Sequence, residues 1–328
     1  MSPDPRDDAT AAARPAPEVA ATGGGPSGSL WVHQDQAAPF EVPWLPTGTT
    51  VVVPGRGEFF IRRHEHPDPS APVLMLLHGW TASADLQYFT AYRALAERYS
   101  FIAIDHRGHG RGLRSPEVYR LEDAADDAAA VVRELGVGPV IAVGYSMGGP
   151  ISLLMARRHR DLVSGLVVQA TALEWRARLG DRLSWMWLPV LGAILRSWAY
   201  PRYLHRAIER VIPPGHVLAP YLDWITAEMR RGDAKNVIEA GRALKFYDAR
   251  GWAQSLRLPA GMLLTRRDRL VRVPKQRALA TALGARIVEI DADHLCTMAV
   301  PEDYARAVVD VIDGVVTEIA AGQSRPAR

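Results

Sequence analysis

Apolar residues along the chain fall into short, nearly continuous runs separated by stretches with helical spacing. Val73 to Leu77, Phe101 to Ile104, Val140 to Val143, Leu166 to Val168, Gly261 to Leu264 and Arg286 to Ile290 read as strands. Strands that are apolar almost throughout are those buried on both faces. Between them, Ala84 to Arg98, Leu121 to Leu135, Pro150 to Arg160 and Lys275 to Leu283 carry helical patterns, and Pro301 to Ile319 closes the chain with another. Strands separated by helix-length segments predict βαβ crossovers and a parallel sheet covered on both faces. Upstream, Thr49 to Val53 and Glu58 to Arg63 flank Pro54-Gly55-Arg56-Gly57, a turn signal that predicts an antiparallel hairpin.

The alternation stops from Thr171 to about Arg250. That stretch holds Trp175, Trp185, Trp187, Trp198 and Trp224 with many arginines and no convincing buried strand, so it reads as a helical insertion. The expected organisation is a disordered tail over residues 1–30, a core over 31–170 resumed over 251–322, the insertion at 171–250, and a flexible end at 323–328. The tail is rich in Ala, Pro, Gly, Ser and Asp and lacks the apolar run of a secretory signal. No internal repeat is visible.

Composition narrows the picture. With 328 residues, 48% of them hydrophobic, the chain can bury a sizeable core. A formal net charge of +3 arises mainly from scattered arginines, without the dense basic tract or interleaved aromatics of a nucleic-acid binder. The single cysteine, Cys296, excludes an intramolecular disulfide and any multi-cysteine metal site; it fits a reducing, cytoplasmic compartment. The longest apolar run outside the tail, Trp185 to Leu195, is interrupted by Pro189 and Gly192 and falls well short of the roughly twenty residues a membrane span needs. No H-x-x-x-H, carboxylate cluster or P-loop is present, so no metal, nucleotide or other cofactor is expected.

Candidate chemistry centres on Gly144-Tyr145-Ser146-Met147-Gly148, directly after the apolar run Val140 to Val143 and before the helical pattern from Pro150. A serine on a sharp strand-to-helix turn needs small neighbours two positions away on either side, because larger ones collide where strand and helix cross. Gly144 and Gly148 supply them. Such a turn lifts the Ser146 hydroxyl above the strand ends and leaves the Met147 N–H, at a helix start, aimed at an anion.

A serine alcohol needs a base and something to orient that base. His294 follows the last predicted strand in the turn Asp291-Ala292-Asp293-His294, which puts it at the carboxyl ends of a parallel sheet, beside Ser146. Asp268 is the only carboxylate in the turn after Gly261 to Leu264, and is the candidate partner of the imidazole. Glu174, after the strand ending near Val168, is a competing acid, and a surface ion pair with Arg266, Arg267 or Arg269 is the competing role for Asp268. Asp291 and Asp293 lie too close in sequence to His294 to orient it. His78 is expected to hold its loop, and Cys296 to be a small buried residue.

The order Ser146, Asp268, His294 is that of α/β-hydrolases, and from about Thr49 to Ile319 the chain resembles that superfamily. The resemblance rests on Gly144 to Gly149, on His78-Gly79-Trp80, on Asp105-His106-Arg107-Gly108-His109-Gly110 and on the late aspartate and histidine. It implies an α/β-hydrolase fold, with a mostly parallel sheet, an N-terminal antiparallel hairpin, helices on both faces and residues 171–250 as a helical cap. It implies further that the Trp80 backbone N–H is a second oxyanion donor beside Met147. Dehalogenases and epoxide hydrolases of this fold carry aspartate where Ser146 stands, so the serine points away from them.

The expected reaction is hydrolysis of a carboxylic ester through an acyl-enzyme. Perhydrolysis, carbon–carbon bond hydrolysis and acyl transfer use the same constellation and remain alternatives, as does a binding protein that has lost its chemistry. Within Trp185 to Leu191, the side chains of Trp185, Trp187 and Leu188 are candidates to hold a hydrophobic substrate. The same stretch, near Arg178, Arg182 and Arg196, is a candidate membrane-surface contact.

Overall fold

Along the central strand, Leu74 and Leu76 pack into one apolar cluster while Met75 and Leu77 pack into another. The same division holds for Ile141 and Val143 against Val140 and Ala142. Side chains alternate across a strand, so two buried faces need apolar residues at every position.

The computed structural model describes residues 41–176, 183, 185–197 and 200–323. The tail expected over 1–30, Arg178, Arg182, Trp198 and residues 324–328 lie outside the described residues. Eight strands form one sheet: β1 Thr47–Val53, β2 Gly57–His64, β3 Val73–Leu77, β4 Ser100–Ile104, β5 Val140–Tyr145, β6 Val163–Gln169, β7 Ala260–Thr265 and β8 Arg286–Ile290. Their spatial order is β1-β2-β4-β3-β5-β6-β7-β8. β1 pairs with β2 and β2 with β4 antiparallel, and every other neighbouring pair is parallel. This is the hairpin and the doubly covered parallel sheet that the apolar pattern predicts.

Helices Leu121–Glu134, Gly148–Arg158 and Val273–Leu283 lie close to their expected positions, and the closing helix runs from Pro301 to Gln323. The expected helix from Ala84 to Arg98 is instead two short ones, Ala84–Tyr88 and Tyr92–Ala96. Tertiary contacts break it. Phe89 meets Trp224 edge-on at 5.0 Å, and Thr90 donates its hydroxyl to the Thr297 carbonyl at 3.1 Å. Such contacts outweigh the few tenths of a kcal/mol per residue that helix propensity supplies.

Between β6 and β7 the described chain is helical, with Leu188–Leu195, Tyr200–Glu209, Leu222–Met229 and Ala234–Phe246. Its one strand-like feature is an isolated bridge between Glu174 and Asp248. The buried Glu228 carboxylate ties this stretch to the loops after β3 and β4. Arg111 meets Glu228 at 2.6 Å, and Ser83 donates to the same carboxylate at 3.3 Å.

Three buried histidines, His78, His106 and His109, cluster below the β3 and β4 ends, with ring centroids 4.2 Å and 5.5 Å from His78. His78 Nδ1 bonds the Gly79 carbonyl at 2.7 Å, and Nε2 accepts the His106 N–H at 2.9 Å. Both nitrogens are thus committed to a neutral ring that pins the Gly79 turn. Burial, then mutual repulsion, pushes His78 well below its ordinary value, and His106 down to about 3. Burial likewise takes His109 to about 4.

These rings stay neutral in the folded chain but gain protons below about pH 6.5 when unfolded. Their stabilisation is therefore present above that pH and lost as pH falls toward their folded values, at about 2 kcal/mol for each of His106 and His109 by pH 5. Asp105, which burial pushes up to about 6, has the opposite sign and returns roughly 1 kcal/mol over that interval. The sum is an acid-labile fold. Guanidinium unfolding at pH 7.5 and pH 5 should show a loss of several kcal/mol at the lower pH; equal stabilities would contradict the histidine account.

Candidate active site

The carboxyl ends of β3, β5, β7 and β8 converge on one side of the sheet, and each carries one part of the site. After β5 the chain turns at Ser146, whose φ is +50°. A non-glycine residue in that region costs on the order of 1 kcal/mol, so the turn is held by its surroundings. The Ser146 N–H donates to the Gln169 carbonyl at 2.9 Å, and the Gly149 N–H donates to the Ser146 carbonyl at 3.0 Å.

The flanking glycines are needed for close approach. A Cβ on Gly144 would stand 2.1 Å from the Gly148 carbonyl oxygen, and one on Gly148 would stand 2.0 Å from the Leu77 carbonyl oxygen. Backbone cannot yield as a side chain can. Gly148→Ala should therefore lower stability by at least about 1–3 kcal/mol, read as a drop in the urea midpoint; an unchanged midpoint would refute the crossing geometry.

His294 stands in the turn after β8. Its Nδ1–H donates to Asp268 Oδ2 at 2.7 Å, and the Ser146 hydroxyl donates to its Nε2 at 3.0 Å. Both lie within the range for proton transfer. The three side chains singled out from the sequence are thus brought into one line.

Asp268 is buried in the turn after β7 and fully engaged. Oδ1 accepts the N–H groups of Leu270 and Val271, both at 2.8 Å, while Oδ2 also accepts the Thr265 hydroxyl at 2.9 Å. Gln276 Nε2 donates to Thr265 Oγ1 at 2.9 Å and so fixes that hydroxyl. These bonds hold the carboxylate in one orientation, with Oδ2 turned to the imidazole.

The competing roles fall away on geometry. Glu174 pairs with Lys275 at 3.1 Å and accepts the Arg176 N–H at 2.7 Å, while His294 Nδ1 is taken by Asp268. Arg266 and Arg267 turn to Glu289 and Asp291 rather than to Asp268. Asp293 accepts the Leu295 N–H of its own turn at 2.9 Å.

The His78-Gly79-Trp80 turn after β3 lies against the serine, since a Cβ on Gly79 would be 3.4 Å from Ser146 Cβ. Among the described residues, neither the Trp80 nor the Met147 N–H meets an acceptor of the chain. The Trp80 side chain is anchored on the far side. Its Nε1–H donates to the Val237 carbonyl at 2.7 Å, and its ring tilts against Trp185 with centroids 5.8 Å apart.

Tyr145 was not singled out from the sequence. Its buried hydroxyl donates to the His294 carbonyl at 2.9 Å and lies 3.2 Å from the Cys296 thiol, which burial pushes up to about 12. The phenol therefore ties the histidine turn to the strand that carries Ser146. Removing it in Tyr145→Phe leaves a half-buried carbonyl without this donor, which costs about 1 kcal/mol. The expected result is a lower thermal midpoint together with slower turnover in any reaction that uses His294; loss of neither would contradict this role.

A cavity of about 400 Å³ opens over Ser146 and His294, walled by Trp80, Trp185, Leu191 and Met298 among others. Of the three side chains expected to touch a substrate, Trp185 lines it. Trp187 is exposed and Leu188 is buried against Gly241, and neither reaches the cavity. Trp185–Trp187 is a 3-10 turn, where successive side chains project about 120° apart, so the two tryptophans cannot share one wall. Among the described residues no group of His, Cys, Asp or Glu is placed to hold a metal ion. No described helix is long and apolar enough to cross a membrane.

Residues 72–190 match the alpha/beta hydrolase fold family. The chain is 33% identical over 124 residues to 2-(acetamidomethylene)succinate hydrolase of Mesorhizobium japonicum, covering 35% of this chain and 44% of that protein. It is 37% identical over 99 residues to the bifunctional esterase/perhydrolase of Acinetobacter calcoaceticus, covering 30% of this chain and 36% of that protein. The matched stretch thus spans less than half the length of these relatives. Among solved structures, the enol-lactonase from Burkholderia xenovorans superposes with a TM-score of 0.67 at 22% identity, over 81% of this chain and all of that one. Strand order, crossovers and the matching core segment agree: the chain has the α/β-hydrolase fold.

Proposed function

We propose that the protein is a serine hydrolase that cleaves carboxylic esters with a hydrophobic acyl or alcohol group. One observation carries this reading: Ser146, His294 and Asp268 are linked by bonds of 3.0 Å and 2.7 Å at the floor of a largely apolar cavity. His294 Nε2 takes the hydroxyl proton as Ser146 Oγ attacks the ester carbonyl carbon. Negative charge gathers on the carbonyl oxygen, toward the N–H groups of Met147 and Trp80. The imidazolium, stabilised by Asp268, gives its proton to the departing alcohol. Water then attacks the acyl-serine by the same route, with His294 as base, and releases the acid.

The cavity wall supports a neutral substrate. Lys275 is a cation on that wall, and its ammonium is engaged by Glu174 at 3.1 Å, which removes the charge that would draw a carboxylate. The described helices between β6 and β7 act as the cap that keeps water from the acyl group, with Trp185 and Leu191 contributing its inner wall.

The test is a series of 4-nitrophenyl esters from acetate to dodecanoate, assayed with wild type and Ser146→Ala. Hydrolysis by wild type, with kcat/KM rising and then falling as the chain fills the cavity, is the expected outcome. No hydrolysis across the series would reject the reading. Adding hydrogen peroxide or an alcohol to the same assay shows whether an acceptor other than water takes the acyl group.

A further inference from the structure

The helix Leu188–Leu195 has no polar side chain, Leu-Pro-Val-Leu-Gly-Ala-Ile-Leu, yet only half of it is covered. Leu188 and Gly192 are buried, and Leu191 lines the cavity. The opposite side is open to solvent: Met186 and Trp187 are each 68% exposed, Val190 45% and Ile194 42%. These positions follow the three- and four-residue spacing of one helical face. The inner face already satisfies the packing of the cavity wall, so core formation does not account for the outer one. A helix apolar all round is found where both sides meet apolar surroundings.

The flanking charge indicates what those surroundings are. From Leu183 to Arg210 the chain carries four arginines, Arg196, Arg202, Arg206 and Arg210, against one carboxylate, Glu209. All four arginines are exposed, as is Tyr203, and Glu209 is engaged by His205 at 3.3 Å. Exposed apolar and aromatic side chains followed along the chain by exposed cations suit the boundary between acyl chains and anionic headgroups. Eight residues of helix are about 12 Å long, against roughly 30 Å of hydrocarbon, so the element can lie in such a surface but not cross it.

We infer that the face formed by Met186, Trp187, Val190 and Ile194, with the arginines that follow it, docks on the surface of an anionic lipid bilayer. This does not depend on the ester-hydrolase reading, and the test is made on Ser146→Ala so that turnover plays no part. Full-length protein is floated with vesicles of phosphatidylcholine containing phosphatidylglycerol, and with vesicles of phosphatidylcholine alone. Binding should favour the anionic vesicles at least about tenfold and weaken as salt is raised.

The double substitution Met186→Ser and Ile194→Ser should lower partitioning at least about tenfold while leaving the thermal midpoint in place, since both side chains face solvent. Absence of binding to anionic vesicles would overturn the inference. So would equal binding to both vesicle types, equal binding by the double variant, or a dimer in size-exclusion chromatography that the double variant splits, which would make the face a self-interface.

Discussion

Ser146→Ala should lower kcat/KM for the best ester by about 10⁴–10⁶ while the circular dichroism spectrum and unfolding midpoint stay close to wild type. The size follows from what the substitution removes. Without Oγ no acyl-enzyme forms, and His294 loses the hydroxyl whose proton it holds at 3.0 Å. The Met147 and Trp80 N–H groups and the cavity remain, so some acceleration over water should survive, as expected when binding and oxyanion stabilisation outlast the nucleophile. Stability should hold or improve slightly, because alanine fits the space and φ of +50° is strained for either side chain. Ester cleavage retained at more than about a tenth of wild type would show that Ser146 is not the nucleophile. A loss of activity accompanied by unfolding would be uninformative by itself, and the spectrum is measured to exclude it.

Much of this site is legible along the chain because its parts sit at strand ends. Apolar runs mark the strands, a parallel sheet puts all their carboxyl ends on one side, and the polar residues of the turns beyond them are then neighbours by topology. Ser146, Asp268 and His294 follow from that argument, as do the small residues at 144 and 148. What supports them is not legible in the same way. The bond from Tyr145 to the His294 carbonyl joins residues 149 positions apart, and the anchor from Trp80 to Val237 spans 157. Neither leaves a periodic signal, because each depends on how two distant elements happen to face. The break of the Ala84 to Arg98 pattern at Phe89 and Thr90 has the same origin in contacts with Trp224 and Thr297. Which way a side chain points within a short turn is equally hidden, and so Trp185 and Trp187, two residues apart, end on opposite sides of the cavity wall.

Asp268→Asn should reduce kcat by about 10³–10⁴ with a much smaller change in KM, while Glu174→Gln should leave kcat within about tenfold. The contrast rests on the proton held between Asp268 and His294. A carboxylate can only accept, so it fixes the proton on Nδ1 and leaves Nε2 open to receive the one from Ser146. An asparagine in the same place can present its amide N–H to the ring and turn the imidazole to the other tautomer, in which Nε2 is already protonated and cannot act as base. The Thr265 hydroxyl and the Leu270 and Val271 N–H groups donate to the carboxylate from the other directions. Asparagine offers one acceptor oxygen to a cradle built for two, so a fall in stability of about 1–3 kcal/mol should accompany the kinetic loss. Glu174 faces Lys275 and the Arg176 N–H, and its removal frees an ammonium on the cavity wall without touching the His294 tautomer. Its effect should therefore fall on KM, with esters that carry a carboxylate gaining relative to neutral ones. If Glu174→Gln abolished turnover and Asp268→Asn did not, the acid of this site would have to be reassigned.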